Sequence, residues 1–188
     1  YFGPGRYCVN TTANQVVFRN NVTLLGNNHD VSAVSADWSV AGRKPETVID
    51  GAFVFESGSS QSVAVKGFTI EGTSLRGPIS INDTTSSDAT RVTHTQTLDI
   101  ENNIITGGGN GETSNPAAIR AYSGAEVTGS IKNNYLRCTI NQFQNINGYT
   151  RGIMVKNSNG LTMEGNYFLG YEVVSYFTDS ISNSVAGN

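Results

Sequence analysis

Cysteine, histidine, proline, tryptophan and charge are all scarce in this chain, and each shortage removes a class of explanation. With 2 Cys and 2 His in 188 residues, there is no disulfide framework and no Cys/His spacing of the kind that holds zinc. His29 and His94 fall in separate turn-like stretches, so no metal site is expected. Charged residues make up 14% and the formal net charge is -3. The few Lys and Arg are scattered, which argues against nucleic acid as a partner. The longest apolar runs are about five residues, far below the roughly 20 of a membrane-spanning helix, so no transmembrane segment is expected. No stretch carries the period of an amphipathic helix.

What the chain has instead is glycine and asparagine, 21 of each, written into a repeat. Residues 97–107 read TLDIENNIITG, 129–138 read GSIKNNYLRC and 161–170 read LTMEGNYFLG. Aligning Asn103, Asn134 and Asn166 brings SVAVKGFTIEG into line with Phe68 at that position, and VTLLGNN with Asn27. Each phrase alternates apolar and polar residues with period two, the mark of a strand with one face buried. Val63 and Val65, Leu98 and Ile100, Gly129 and Ile131, Leu161 and Met163 are the inward positions.

Second apolar segments lie between the phrases: ETVIDG, PISIND, AAIRAY, GIMVKN and YEVVSY. Each coil of about thirty residues therefore holds at least two strands separated by Gly-, Asn- and Ser-rich turns. A chain that returns to the same strand position once per coil, without helices, stacks like on like in parallel. The expected fold is all-β, a parallel β-helix of about five to six coils. It forms one domain over 1–188, with long turns in the first coils (1–59) and regular coils in 60–188. Asn27, Asn103, Asn134 and Asn166 are expected to form a ladder of amides, interrupted at Phe68. Cys8 and Cys138, several coils apart, are expected to be free, buried thiols. The chain starts at Tyr1 without a methionine, and SNSVAGN sets Val185, Gly187 and Asn188 on the positions of Met163, Gly165 and Asn166. The expectation is a processed chain or a piece, with either further sequence or another subunit over its last coil.

These phrases resemble the parallel β-helix repeat of the pectate-lyase-like superfamily over nearly the whole chain. The opening GPGRYCVNTTANQVVFRNNVTLLGNN, with RKPETVIDG and VAVKGFTIEG, is similar to the first coils of secreted or surface β-helix proteins of bacteria and archaea. Right-handed winding is expected from the general preference of parallel crossovers, and the resemblance implies a location outside the cell or on a cell or virion surface. It leaves activity open, because lyases, hydrolases, epimerases, phage adhesins and non-catalytic surface proteins share this fold.

Stacking turns sequence into outward columns. Lys66, Glu101, Lys132 and Glu164 form one of alternating sign, a device for register. A second, Asn28, Thr69, Ile104, Tyr135 and Tyr167, grows aromatic toward the C-terminus. It fits a protein partner, a glycan, or cover by the chain's own long turns such as CTINQFQNINGYT. On another face Ser80, Arg120 and Met154 align beside Asn82, Tyr122 and Lys156. Arg120, Tyr122 and Lys156 are the candidate catalytic group of a polysaccharide lyase, which must neutralise a uronate carboxylate and remove the C5 proton. Calcium would enter only there, and needs clustered carboxylates; Glu112 has no acidic partner. Asn10, Asn21 and Asn82 begin N-x-[ST] sequons. The favoured expectation is a non-catalytic structural or adhesive module without cofactor, bound by like subunits or surface glycans and able to join end to end. The alternative is a polysaccharide lyase or related carbohydrate-active enzyme, or a glycan-binding adhesin.

Overall fold

The computed structural model describes residues 1–9, 15–34, 42–72, 77–83, 94–107, 117–121, 125–138, 150–178, 180 and 182–188, with the backbone alone at 57, 82 and 83. Its strands form three six-stranded parallel sheets in which every third strand pairs. The first sheet holds β1 (Gly5–Cys8), β4 (Thr47–Asp50), β7 (Thr69–Glu71), β10 (Ile104–Thr106), β13 (Tyr135–Arg137) and β16 (Tyr167–Leu169). The second holds β2 (Gln15–Phe18), β5 (Ala52–Ser57), β8 (Ile79–Asp83), β11 (Ala117–Ala121), β14 (Arg151–Lys156) and β17 (Val173–Thr178). The third holds β3 (Val22–Leu25), β6 (Gln61–Lys66), β9 (Thr95–Glu101), β12 (Glu126–Lys132), β15 (Thr162–Glu164) and β18 (Ser184–Ala186). Three strands make one coil, and six coils make a parallel β-helix.

Each coil thus has three strands, and the repeated phrase covers two of them with a corner between. Register corrects one grouping made from sequence: ETVIDG pairs in the first sheet with β1 and β7, and the partner of PISIND is the next run, Ala52–Ser57. A single residue, Gly51 at φ 150°, turns the chain between β4 and β5. The next coil down the stack explains why this corner is small: a Cβ on Gly72 would run into the Gly51 carbonyl oxygen. Inside, period-two alternation sends Ile49, Ile70, Ile105 and Leu136 of the first sheet against Phe53, Phe55, Ile79 and Ile119 of the second. Val65, Ile100, Ile131 and Met163 of the third close the triangle, and every one of these is at most 2% exposed.

The corner from third to first sheet needs one residue in the left-handed region. Gly67, Asn102, Asn133, Gly165 and Gly187 supply it, at φ 74°, 60°, 53°, 62° and 59°. Glycine and asparagine are the residues that adopt this conformation cheaply. The residue that follows turns inward: Phe68, Asn103, Asn134, Asn166 and Asn188. Successive corner residues are 35, 31, 32 and 22 positions apart. Residues 28–34 and 42–46 lie against this corner. Asn102 Nδ2 donates to His29 O at 2.8 Å and Ala33 N to Asn133 O at 3.2 Å. Arg43, its side chain 3% exposed, pairs with Glu46 at 2.7 Å and donates to the Asn102 carbonyl at 2.8 Å.

Candidate functional site

The asparagines of the third corner form a chain of amides running one way. Phe68 N donates to Asn103 Oδ1 at 3.1 Å, and Asn103 N and Nδ2 both donate to Asn134 Oδ1 at 3.0 Å. Asn134 N and Nδ2 donate to Asn166 Oδ1 at 3.2 and 2.9 Å, and Asn166 N and Nδ2 to Asn188 Oδ1 at 3.0 and 2.8 Å. The same Nδ2 atoms also reach the carbonyls of Val65, Ile100 and Ile131. Asn103, Asn134 and Asn166 have no exposed surface, so all their amide capacity is spent inside the protein and none is left for a ligand. Asn27 corrects the expected ladder. Its Nδ2 donates to Pro45 O, its N to Thr47 Oγ1, and its Oδ1 accepts from the Tyr1 hydroxyl. The next position along, Phe68, has no amide oxygen to receive it. Asn188, whose Nδ2 donates to Met163 O at 3.2 Å, is the rung at the far end.

The charge column holds Lys66 between Asp99 at 2.6 Å and Glu101 at 3.2 Å, and Lys132 at 3.3 Å from Glu164. Burial opposes the Lys66 charge, but the two carboxylates outweigh it and raise its pKa. Arg6 adds a second ion network, to Glu71 at 2.9 Å and Asp50 at 3.6 Å. The Arg6 network is exposed and the Lys66 cluster part-buried, and both serve register between coils.

The aromatic column is also corrected at one end. Asn28 is fully buried, with its amide bonded to the Lys44 backbone at 2.9 and 3.0 Å. Register instead continues Tyr167, Tyr135, Ile104 and Thr69 into Val48 and Arg6. Asn28 lies past the end of β3 and before β4, outside the sheet. Tyr135 and Tyr167 stack at 5.1 Å with 29° between their planes, each covering a face of the other. Ring faces therefore point along the molecular axis. A sugar lying across the sheet would meet ring edges, and stacking on an aromatic ring needs its face.

The candidate lyase group is divided. Arg120 stands half-buried on the outer face of the second sheet, in register with Ser80 and Met154, which are 0% and 1% exposed. Lys156, two residues beyond Met154, is 9% exposed, and Tyr122 lies outside the described residues. Among the described residues no three His, Cys, Asp or Glu side chains gather as a metal would need. Of the sequons, Asn21 is exposed just before β3, and its Oδ1 accepts from Ser62 N at 2.7 Å. Asn82 is described by its backbone alone, within β8, and Asn10 is outside the described residues. Both cysteines are free, Cys138 buried but Cys8 exposed on β1, contrary to the expectation of two buried thiols. Cys8 sits on the outward side of an edge strand, a position its spacing alone does not reveal.

Among the described residues, the large exposed hydrophobic side chains lie in the first and last coils. A hollow of about 360 Å³ lies over the last one, lined by Tyr167, Phe168, Val174 and Asn188. Phe168 and Phe177 there, and Val16, Phe18 and Val22 in the first coil, are only partly buried. The signal was present in the strand compositions, where charge thins out toward both ends. No known protein family, curated protein or solved structure matches the chain.

Proposed function

We propose that this chain is a non-catalytic structural or adhesive β-helix module of the pectate-lyase-like kind, working outside the cell or on a cell or virion surface. The observation that carries this reading is that the polar side chains recurring from coil to coil are bonded to one another, in the Asn103, Asn134 and Asn166 ladder and in the Lys66, Asp99 and Glu101 cluster. Tyr1, Tyr7 and Val17 belong to the first coil, and Leu169, Val174, Tyr176 and Val185 to the last. Together they are the large hydrophobic residues exposed among the described residues. Exposed apolar side chains on outward strand positions, Val17 and Tyr176 among them, suit contact with another macromolecule. The N-x-[ST] sequons and the resemblance of the opening coils to surface proteins support the extracellular placement.

The rival reading, a polysaccharide lyase, rests on Arg120 and Lys156 standing on the adjacent strands β11 and β14. A base and a carboxylate-binding group must reach a polymer in an open groove, and the burial of Lys156, Ser80 and Met154 works against that. Incubating the chain with alginate, pectate and chondroitin, with and without calcium, tests it through the ultraviolet absorbance of the unsaturated product. We expect no product, together with concentration-dependent association in sedimentation. Product formation abolished by Arg120→Ala or Lys156→Ala would overturn the structural reading in favour of the lyase.

A further inference from the structure

An N-linked sugar sits on the carboxamide nitrogen of an asparagine followed, two residues on, by Ser or Thr. Attachment forms a bond from Nδ2 to the anomeric carbon of the sugar. The C–O bond between that carbon and a phosphate-linked lipid donor breaks, the lipid phosphate leaves, and one Nδ2 hydrogen departs as a proton. The carbonyl oxygen and the second hydrogen stay. An acceptor asparagine therefore needs a nitrogen with an uncommitted hydrogen and open surface around it.

The asparagines of the third corner fail both conditions. Asn103 Nδ2 donates to Val65 O and Asn134 Oδ1, and Asn134 Nδ2 to Ile100 O and Asn166 Oδ1, so both hydrogens of each are taken. Neither residue has exposed surface. Asn21 is placed the other way. It closes the turn of residues 19–21 between β2 and β3, and all three residues of that turn are exposed. Its Oδ1 accepts from Ser62 N at 2.7 Å, which holds the carboxamide by its oxygen, and its Nδ2 has no partner among the described residues. Asn21, Val22 and Thr23 read N-V-T. Val22 and Leu24 pack toward the core, and alternation along the strand puts Asn21 and Thr23 together on the outer face. Thr23 is exposed, its hydroxyl also without a partner among the described residues.

We infer that Asn21 is an N-glycan attachment site, taking an oligosaccharide from a phosphate-linked lipid donor, the class of donor met by a chain that crosses a eukaryotic or archaeal membrane. This rests on the extracellular placement above and adds a modification to it. The openness of the site belongs to the side of the molecule. Val22 pairs with Val63, so the column of Asn21 runs on through Ser62 and Thr97, and both are exposed although coils lie on either side of them. The position also tolerates a sugar: Ser62 N bonds the oxygen that attachment leaves in place, so β3 stays pinned to β6. The glycan stands on the outer face of the third sheet. That leaves the second sheet, with Val17 and Tyr176, for contact with other macromolecules.

The test removes the other two sequons with Asn10→Gln and Asn82→Gln, leaving Asn21 as the sole acceptor. This chain, behind a cleavable signal peptide, is translated with endoplasmic-reticulum microsomes, and entry is read by protection from added protease. Protected chains should run slower on a gel by one glycan and return to the unmodified position after endoglycosidase treatment. The shift should be lost in Asn21→Gln and in Thr23→Ala and kept in Thr23→Ser. Enzymatic release that leaves aspartate in place of the glycosylated asparagine should put the change of mass on residue 21, and should proceed without denaturant because the site is open. Protected chains that never shift, or a shift that survives Asn21→Gln, would overturn the inference and leave the extracellular structural reading intact. Chains that fail to enter the vesicles at all would overturn both.

Discussion

Removing the carboxamide of Asn134 would strip the acceptor from the buried Asn103 N–H and the donor from the Ile100 carbonyl. An unsatisfied buried group costs about 1–3 kcal/mol, so Asn134→Ala is expected to lower stability by about 2–4 kcal/mol in urea unfolding. Asn188→Ala, on a rung that is partly exposed, should cost clearly less; equal losses would refute the account of a buried amide chain. The recurrence of asparagine made this ladder legible in the sequence, because few other roles require one polar side chain at the same inward place in every coil. The break at Phe68 was legible as well; what was not is that Asn27 bonds Pro45, Thr47 and Tyr1 instead. Cysteine reactivity separates in the same residue-by-residue way. Cys8 is exposed, whereas burial raises the Cys138 thiol pKa, and the thiolate is the reactive form. A maleimide should label one cysteine in the native chain and both in denaturant, and Cys8→Ser should abolish the native labelling.

At the level of strands, TVIDGAFVFES looks like one apolar run with a glycine in it and is two strands of different sheets meeting at Gly51. Alternation of apolar residues continues across such a corner, so period alone hides it, and the sequence shows at least two strands per coil without resolving the third. The glycines held the missing information. Gly72 follows the same corner one coil on, and Gly72→Ala would push a methyl group into the backbone of its neighbour. We expect about 1–3 kcal/mol of destabilisation, the usual scale for overpacking, against a few tenths for alanine at the open position Gly3. The strands of the third sheet carry a pH signature as well. The Lys66 pKa is raised above its ordinary 10.5, so its contribution is complete below that value and is lost as pH rises through the folded-state pKa. Stability measured from neutral pH into the alkaline range should fall less steeply in Lys66→Gln than in the parent; identical slopes would mean the pairing with Asp99 and Glu101 has no thermodynamic weight.

For the whole molecule, the periodic phrases identify a parallel stack almost unaided, whereas its function is legible only in part. The columns that face outward take their meaning from what covers them: Ser80 and Met154 look like an open face in the sequence and are buried in the fold. The corner spacings described earlier have a different kind of consequence. Asn166 and Asn188 are joined by 22 residues, which is enough to visit all three sheets once, so the 31 and 32 residues of the preceding coils exceed what one circuit demands. One circuit of the three sheets therefore needs none of that surplus. Between β16 and β17 the path from Gly170 to Glu172 crosses the corner that β13 and β14 cross by way of residues 139–149, and Thr150 and Glu172 bond each other there at 3.0 Å. Exchanging 139–149 for a single residue should leave the unfolding free energy within about 1 kcal/mol, since loop closure depends only weakly on length. A chain organised in this way can gain, lose or trade segments at its corners while the axis stays as it was, which makes the same rod a platform for new surface chemistry.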